Sequence, residues 1–226
     1  NNTTGTNNTA IGYQSLYSTD TTGNNTAVGY QALYGNTAGY YNTSVGSFSL
    51  KNSTTGTENT AVGFAANQSN TTGSNNTSLG SDALRFNSTG GGNTAVGFSA
   101  LRQNNTGISN TGIGSYALYF NQGDYNVGMG SFALNFNNTG NFNVAIGPFA
   151  LQDNSTRSNL VAVGFNALRN NGTGATLSTH SVANTAIGSN VLFANTTGAD
   201  NTGLGYYTLF SNTTGSSNTA TGSLSL

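Results

Sequence analysis

The chain has 226 residues, of which only 5% are charged, and a formal net charge of −1. Ordinary globular domains carry about 25% charged residues, so we expect no electrostatic interface with nucleic acid or an anionic membrane. The absence of cysteine excludes disulfides and thiolate metal sites, and no apolar run approaches the roughly 20 residues that span a bilayer.

A ten-residue phrase, NNTAVGYQAL at Asn24–Leu33, returns along the chain with small changes. Its glycine recurs thirteen times, at Gly12, Gly29, Gly46, Gly63, Gly80, Gly97, Gly114, Gly130, Gly147, Gly164, Gly188, Gly205 and Gly222. Ten of the twelve spacings are 17 residues, one is 16, and one is 24. The repeat predicts one array over residues 1–226, interrupted by an insertion at about 170–183.

Each copy predicts one coil of an all-β parallel β-solenoid or β-roll. Thr26 and Val28 lie two residues apart, so they share one face of a strand. A 17-residue period punctuated by Gly and Asn favours two strands of about five residues and two turns over a helix. Thirteen coils about 4.8 Å apart would span roughly 60 Å.

The apolar column before each glycine is predicted to fill the interior of the coil, together with leucines from the opposite strand. We therefore expect a core made of Ile11, Val28, Val45, Val62, Leu79, Val96, Ile113, Met129, Ile146, Val163, Ile187, Leu204, Leu33, Leu101 and Leu118.

An asparagine stands four residues before the glycine in twelve of the thirteen copies, Leu160 being the exception. Stacked in register, asparagine amides can bond to the coils above and below them. We predict such a ladder at Asn8, Asn25, Asn42, Asn59, Asn76, Asn93, Asn110, Asn126, Asn143, Asn184, Asn201 and Asn218. The glycine is expected to supply a positive φ at the corner.

Small residues fill the column two before the glycine, and the interpretation above points them outward. An ordinary solvated face does not need small residues, so this column favours close lateral packing against a second copy. The alternative is that small residues only relieve crowding within a tight coil.

The hexad NNTAIG at Asn7–Gly12 resembles the head repeats of YadA-like trimeric autotransporter adhesins, whose pattern reads Asn-Ser-Val-Ala-Ile-Gly. Related repeats occur in tail-fibre proteins of phages and viruses. The resemblance covers essentially the whole chain and implies a left-handed β-roll that trimerises and binds host-surface glycans or matrix proteins. The 17-residue period is longer than the coils common in that family.

Catalytic chemistry is not expected, because the six acids lie in different coils and do not converge in sequence. We predict no cofactor and no metal site. Arg85 and Arg102 would be stacked neighbours, and His180, the only histidine, lies in the insertion. These three are candidate partner contacts, with a solvated edge as the alternative for the arginines.

Three functions remain for an extracellular or cell-surface structural chain. The first is a fibre or adhesin head segment that mediates attachment or display. The second is a self-assembling filament built by end-to-end stacking, because neither end carries a cap; a window cut from a longer array is the alternative. The third is ice binding, which needs outward threonines and is disfavoured because the strand threonines are expected to point inward.

Overall fold

The computed structural model describes residues 5–18 and 22–226. This part of the chain contains no helix and thirteen parallel strands of three residues each, wound as a β-solenoid of about twelve turns. The strands are β1 Thr9–Ile11, β2 Thr26–Val28, β3 Thr43–Val45, β4 Thr60–Val62, β5 Thr77–Leu79, β6 Thr94–Val96, β7 Thr111–Ile113, β8 Val127–Met129, β9 Val144–Ile146, β10 Val161–Val163, β11 Thr185–Ile187, β12 Thr202–Leu204 and β13 Thr219–Thr221.

The contacts group the strands into two compact units, one ending at Asn110 and the other beginning at Thr111. The first unit holds β1–β6 and the second holds β7–β13, and within each unit consecutive strands pair in the order of the sequence. Equivalent residues pair in register, as Ala27 does with Ser44 and Val28 with Val45. The predicted all-β parallel solenoid is therefore confirmed.

Each corner after a strand is made by the repeated glycine. Gly29 has a φ of 136°, and a Cβ at this position would lie 2.6 Å from the carbonyl oxygen of Gly46 in the next coil. Both the backbone angle and the close approach therefore require glycine, as its recurrence predicted.

The coil has one strand rather than the predicted two. Leu33, expected on the opposite strand, has a φ of 52°, and Gln31 has the same value. Two left-handed residues so close together make a turn, which cannot run as an extended strand. This turn still bonds to its neighbour, because the amide of Leu33 donates to the carbonyl of Ser49 at 3.0 Å.

The small residue of the strand, and not its neighbours, faces the interior. Ala27 is fully buried, whereas Val28 is only partly covered and Ile11 is 60% exposed. The interior is too narrow for two large columns, because the leucine of the turn already fills it. A Cβ on Gly128, in the middle of β8, would lie 3.1 Å from Cγ of Leu118.

Twelve of the fifteen predicted core residues were therefore assigned to the wrong side of the strand. Leu33, Leu101 and Leu118 are fully buried, as predicted. The residues that lie on the outside, exposed or half-buried, are Ile11, Val28, Val45, Val62, Leu79, Val96, Ile113, Met129, Ile146, Val163, Ile187 and Leu204.

One exchange between coils shows how tightly the interior is filled. Val191 replaces the usual small residue of the turn, and the strand above it carries Gly203 in the middle position. A Cβ on Gly203 would lie only 2.5 Å from Cγ1 of Val191. The larger side chain of Val191 thus fits because the residue above it, Gly203, has no side chain.

Candidate functional site: the outward strand face

The outward side of the strands forms the most regular surface of each unit. We call it the strand face and define it as the first and third residues of each strand. Its first column is threonine in β1–β7 and β11–β13, and valine in β8–β10. Its third column is Val, Ile, Leu or Met except in β13, where it is Thr221. No position of the face carries a charge.

Several large apolar residues of this face are open to solvent. Leu79 is 47% exposed, Leu204 is 45% and Ile187 is 41%. The face is therefore an apolar strip with interspersed hydroxyls, a composition that soluble monomers rarely leave uncovered over a large area.

Columns of aromatic rings follow the strands, just after the repeated glycines, with stacked and edge-to-face contacts between successive coils. In the first unit Tyr13, Tyr30, Phe48 and Phe64 follow one another with ring centroids 5.4, 5.2 and 5.9 Å apart. In the second unit a corresponding column joins Tyr116, Phe132, Phe149 and Phe165 at 5.0, 5.5 and 6.0 Å. Each unit therefore carries a column of aromatic rings that are exposed or half-buried.

The predicted asparagine ladder is present and fixes the spacing behind the strand face. The Asn25 side chain accepts from the backbone amide of Asn42 at 2.9 Å, and its Nδ2 donates to the carbonyl of Gly39 at 3.0 Å. The same Asn-to-Asn bond recurs within each unit, as between Asn76 and Asn93. Amide side chains thus supplement the strand ladder in holding successive coils together.

A second buried asparagine column also forms a ladder. Asn87 donates to the carbonyl of Gly90 at 2.9 Å and to Oδ1 of Asn70 at 3.2 Å. In the sequence this column is the asparagine that stands seven residues after the repeated glycine. The residue three positions further on, whose carbonyl accepts the bond, is usually glycine.

The two candidate arginines do come together, but they are held by the protein itself. Arg85 and Arg102 both approach the carboxylate of Asp82, at 3.1 and 3.5 Å. Both guanidinium groups also lie over the ring of Phe86, at 5.2 and 4.8 Å from its centroid. The shared carboxylate offsets part of the positive charge that an anionic ligand would use.

The third candidate, His180, lies in the insertion next to a residue that the sequence did not single out. Arg157 occupies a column that is elsewhere mostly glycine, and it is 8% exposed. Its Nη1 and Nη2 donate to the carbonyls of Leu177 and Ala175 at 2.9 and 2.8 Å. The His180 amide bonds to that same Leu177 carbonyl at 3.1 Å. Arg157 therefore anchors the insertion to the solenoid.

Three observations on the described residues concern metal ligands, acids and grooves. Residues 5–18 and 22–226 contain no group of three His, Cys, Asp or Glu side chains arranged to hold a metal ion. Burial raises the pKa of the Asp153 carboxyl, and the nearby Arg169 opposes that rise. A shallow groove of about 320 Å³ beside Phe120 and Phe136 is completed by Asn138 and Ser155, none of which is an acid or a base.

In the part of the chain that the structure describes, no helix has the length and apolarity of a membrane span. Comparison of the chain with family models, curated proteins and solved structures gives no match.

Proposed function

We propose that this chain is a structural fibre segment that associates with further copies of itself through the strand face and serves surface attachment or display. The observation that carries the proposal is the outward position of the apolar column. Residues such as Leu79 and Ile187 are open to solvent on an uncharged, regularly spaced strip.

A second copy is the cover that fits this strip best. It would present the same spacing between coils, because the interval is set by the hydrogen bonds of the solenoid. Burying the strip desolvates no charge, which is the main cost of covering a polar surface. The small-residue column cannot serve this purpose, since Ala27 and its equivalents in β2–β13 lie inside the coil.

The resemblance of Asn7–Gly12 to YadA-like head repeats supports an adhesin or tail-fibre role at a cell or virion surface. In that role the insertion at 170–183 and the exposed aromatics would contact a host-surface glycan or a matrix protein. Leu177, held out by the Arg157 anchor and 58% exposed, is the most prominent apolar side chain of the insertion.

The first experiment is to measure the mass of the purified chain by light scattering and to image it by electron microscopy. We expect a discrete oligomer, and we expect Leu79→Lys, which places a charge on the strand face, to shift it toward monomer. The matched control is Asn105→Lys at an exposed turn position, which should leave the mass unchanged. A wild-type chain that stays monomeric at high concentration would refute self-association, and long filaments would favour end-to-end stacking instead.

Ice binding is a second candidate, because the strand threonines do not point inward as expected from the sequence. The strand threonines point outward: Thr60 and Thr77 are exposed, each beside an outward Val or Leu in the same strand. Outward threonines in register on a flat sheet are what an ice-binding face requires. This use of the strand face excludes covering it with a second copy. Thermal hysteresis from a monomeric chain would favour it, and its absence would dispose of it.

A further inference from the structure

A repetitive strand face leaves one question open for the proposed fibre: how two copies find one alignment. When every coil presents Thr-x-Val, sliding one copy by a whole coil restores almost the same contacts. Register is weakly specified wherever the pairing surface is uniform. A fibre with a defined length and a defined contact surface needs a feature that breaks this equivalence.

Such a feature lies in the second unit at β8–β10, which we call the valine patch. Val127, Val144 and Val161 replace threonine in three consecutive strands that pair in register. The third column continues with Met129, Ile146 and Val163, so both columns of the strand face are apolar over these three coils.

Aromatic residues flank the strands of the valine patch on both sides in the sequence. Tyr125 and Phe142, just before β8 and β9, stack with centroids 5.3 Å apart and are 50% and 57% exposed. On the other side Phe132, Phe149 and Phe165 continue the aromatic column. The remaining strands of the unit carry threonine in the first column, so the valine patch occurs at one place in β7–β13.

The dimensions of the patch favour a second copy over an unrelated partner. At about 3.3 Å per residue and about 4.8 Å between strands, one coil contributes roughly 50 Å² to the face. Three coils give roughly 150 Å², far below the roughly 800 Å² per partner of a stable interface. The occupant must therefore extend over neighbouring coils of the strip. A surface of equal period, which a second copy provides, can do so.

We infer that the valine patch sets the register of self-association by docking against the valine patch of a second copy of this chain. This inference rests on the proposed function. A copy displaced by one coil would place Thr185 or Thr111 against a valine and bury a hydroxyl without a partner, so the aligned register is preferred.

Cysteine cross-linking tests this directly, since the chain contains no cysteine of its own. Ile146→Cys places one thiol in the central coil of the patch, where patch-on-patch docking brings two copies together in either relative orientation. We expect rapid formation of disulfide-linked dimers. Adding Val127→Thr, Val144→Thr and Val161→Thr makes the face uniform, so neighbouring registers become equivalent and the yield should fall roughly threefold or more.

The matched control carries Ile146→Cys together with Val28→Thr, Val45→Thr and Val62→Thr, three changes of the same kind in the first unit. It should cross-link as efficiently as Ile146→Cys alone. Threonine is the residue most strands carry at the first column, so the patch variant should fold, and circular dichroism verifies this.

The outcomes separate the two proposals. An oligomeric chain whose cross-linking falls only when the patch is changed supports the inference. An oligomeric chain whose cross-linking is equal in all variants overturns the inference and leaves the proposed function in place. A monomeric chain that does not cross-link overturns both.

Discussion

Asn67 offers a sharp test of how the interior is built. It occupies the column that holds leucine in the neighbouring coils, between Leu50 and Leu84, and all three residues are fully buried. Neither the Nδ2 nor the Oδ1 atom of Asn67 has a hydrogen-bond partner. Replacement by leucine should therefore stabilise the protein.

The magnitude follows from three effects. Removing an unsatisfied buried amide is worth about 1–3 kcal/mol, and burying a leucine side chain about 1.5–3 kcal/mol. Against this, Asn67 has a φ of 49°, a conformation that asparagine adopts more readily than leucine by about 1 kcal/mol. The net gain is about 2–4 kcal/mol, which corresponds to roughly 5–10 °C in Tm for a chain of this size.

Thermal and urea unfolding followed by circular dichroism would measure the change in Asn67→Leu. The reverse substitution, Leu50→Asn, is the control, and it should destabilise the protein by a comparable amount because it creates the same unpaired amide. A Tm that is unchanged or lower in Asn67→Leu, with Leu50→Asn clearly destabilised, would show that the coil cannot accept leucine there. The packing argument would then be wrong.

Three further predictions concern the strand, the insertion and pH. Ala61→Asp should unfold neighbouring coils because it buries a charge without a partner, whereas Val62→Asp, one residue on and directed outward, should lower the Tm far less. Circular dichroism compares the two variants. Arg157→Met removes the donors that hold the Ala175 and Leu177 carbonyls, so limited proteolysis should cut this variant within 170–183. Arg157→Lys should be cut more slowly than Arg157→Met. Equal cleavage of the wild type and Arg157→Met would contradict the anchor. The raised pKa of Asp153 means that ionisation of this carboxyl destabilises the fold as the pH rises through that pKa. Asp153→Asn should therefore raise the Tm at pH 7 but not at a pH below the ordinary carboxyl pKa. An equal increase in Tm at both pH values would contradict this assignment.

The period and the punctuation of the sequence were sufficient to predict the solenoid. The 17-residue spacing placed the strands, and the recurrent glycine correctly indicated the positive φ of Gly29. The asparagine four residues before it correctly indicated the ladder between Asn25 and Asn42. These features are visible in sequence because they depend on residue type and spacing alone.

The side of the strand could not be read in the same way. A three-residue strand alternates large, small and large, and either face of such a strand can be the interior. The decision depends on the width of the coil, which is set by the leucine in the left-handed turn. Hydrophobicity favoured Val28 as the inward residue, but steric space selected Ala27.

The Arg157 anchor could not be predicted from the sequence. Arg157 departs from a column that is mostly glycine, but so does Thr22, and the role of Arg157 depends on the path of residues 175–177. The bond of Asn87 to the carbonyl three residues ahead likewise exists only once the turn closes, although the asparagine column itself is visible in the sequence.

The ladder behind β10 has a mechanical consequence. Successive coils act as links in series under tension, so the link with the fewest bonds yields first. Leu160 replaces the asparagine of this column, so it offers the backbone N–H of Asn184 no Oδ1 acceptor of the kind that Asn25 offers to Asn42. The Asn184 side chain still donates to Oδ1 of Asn171 at 3.3 Å, as Asn143 does to Asn137, so the bond across to residue 160 is the one that is lost. Under tension along the stacking direction, the link between β10 and β11 should therefore be weaker than it would be with the asparagine bond in place. Single-molecule force measurements should show that Leu160→Asn raises the force at which this link ruptures.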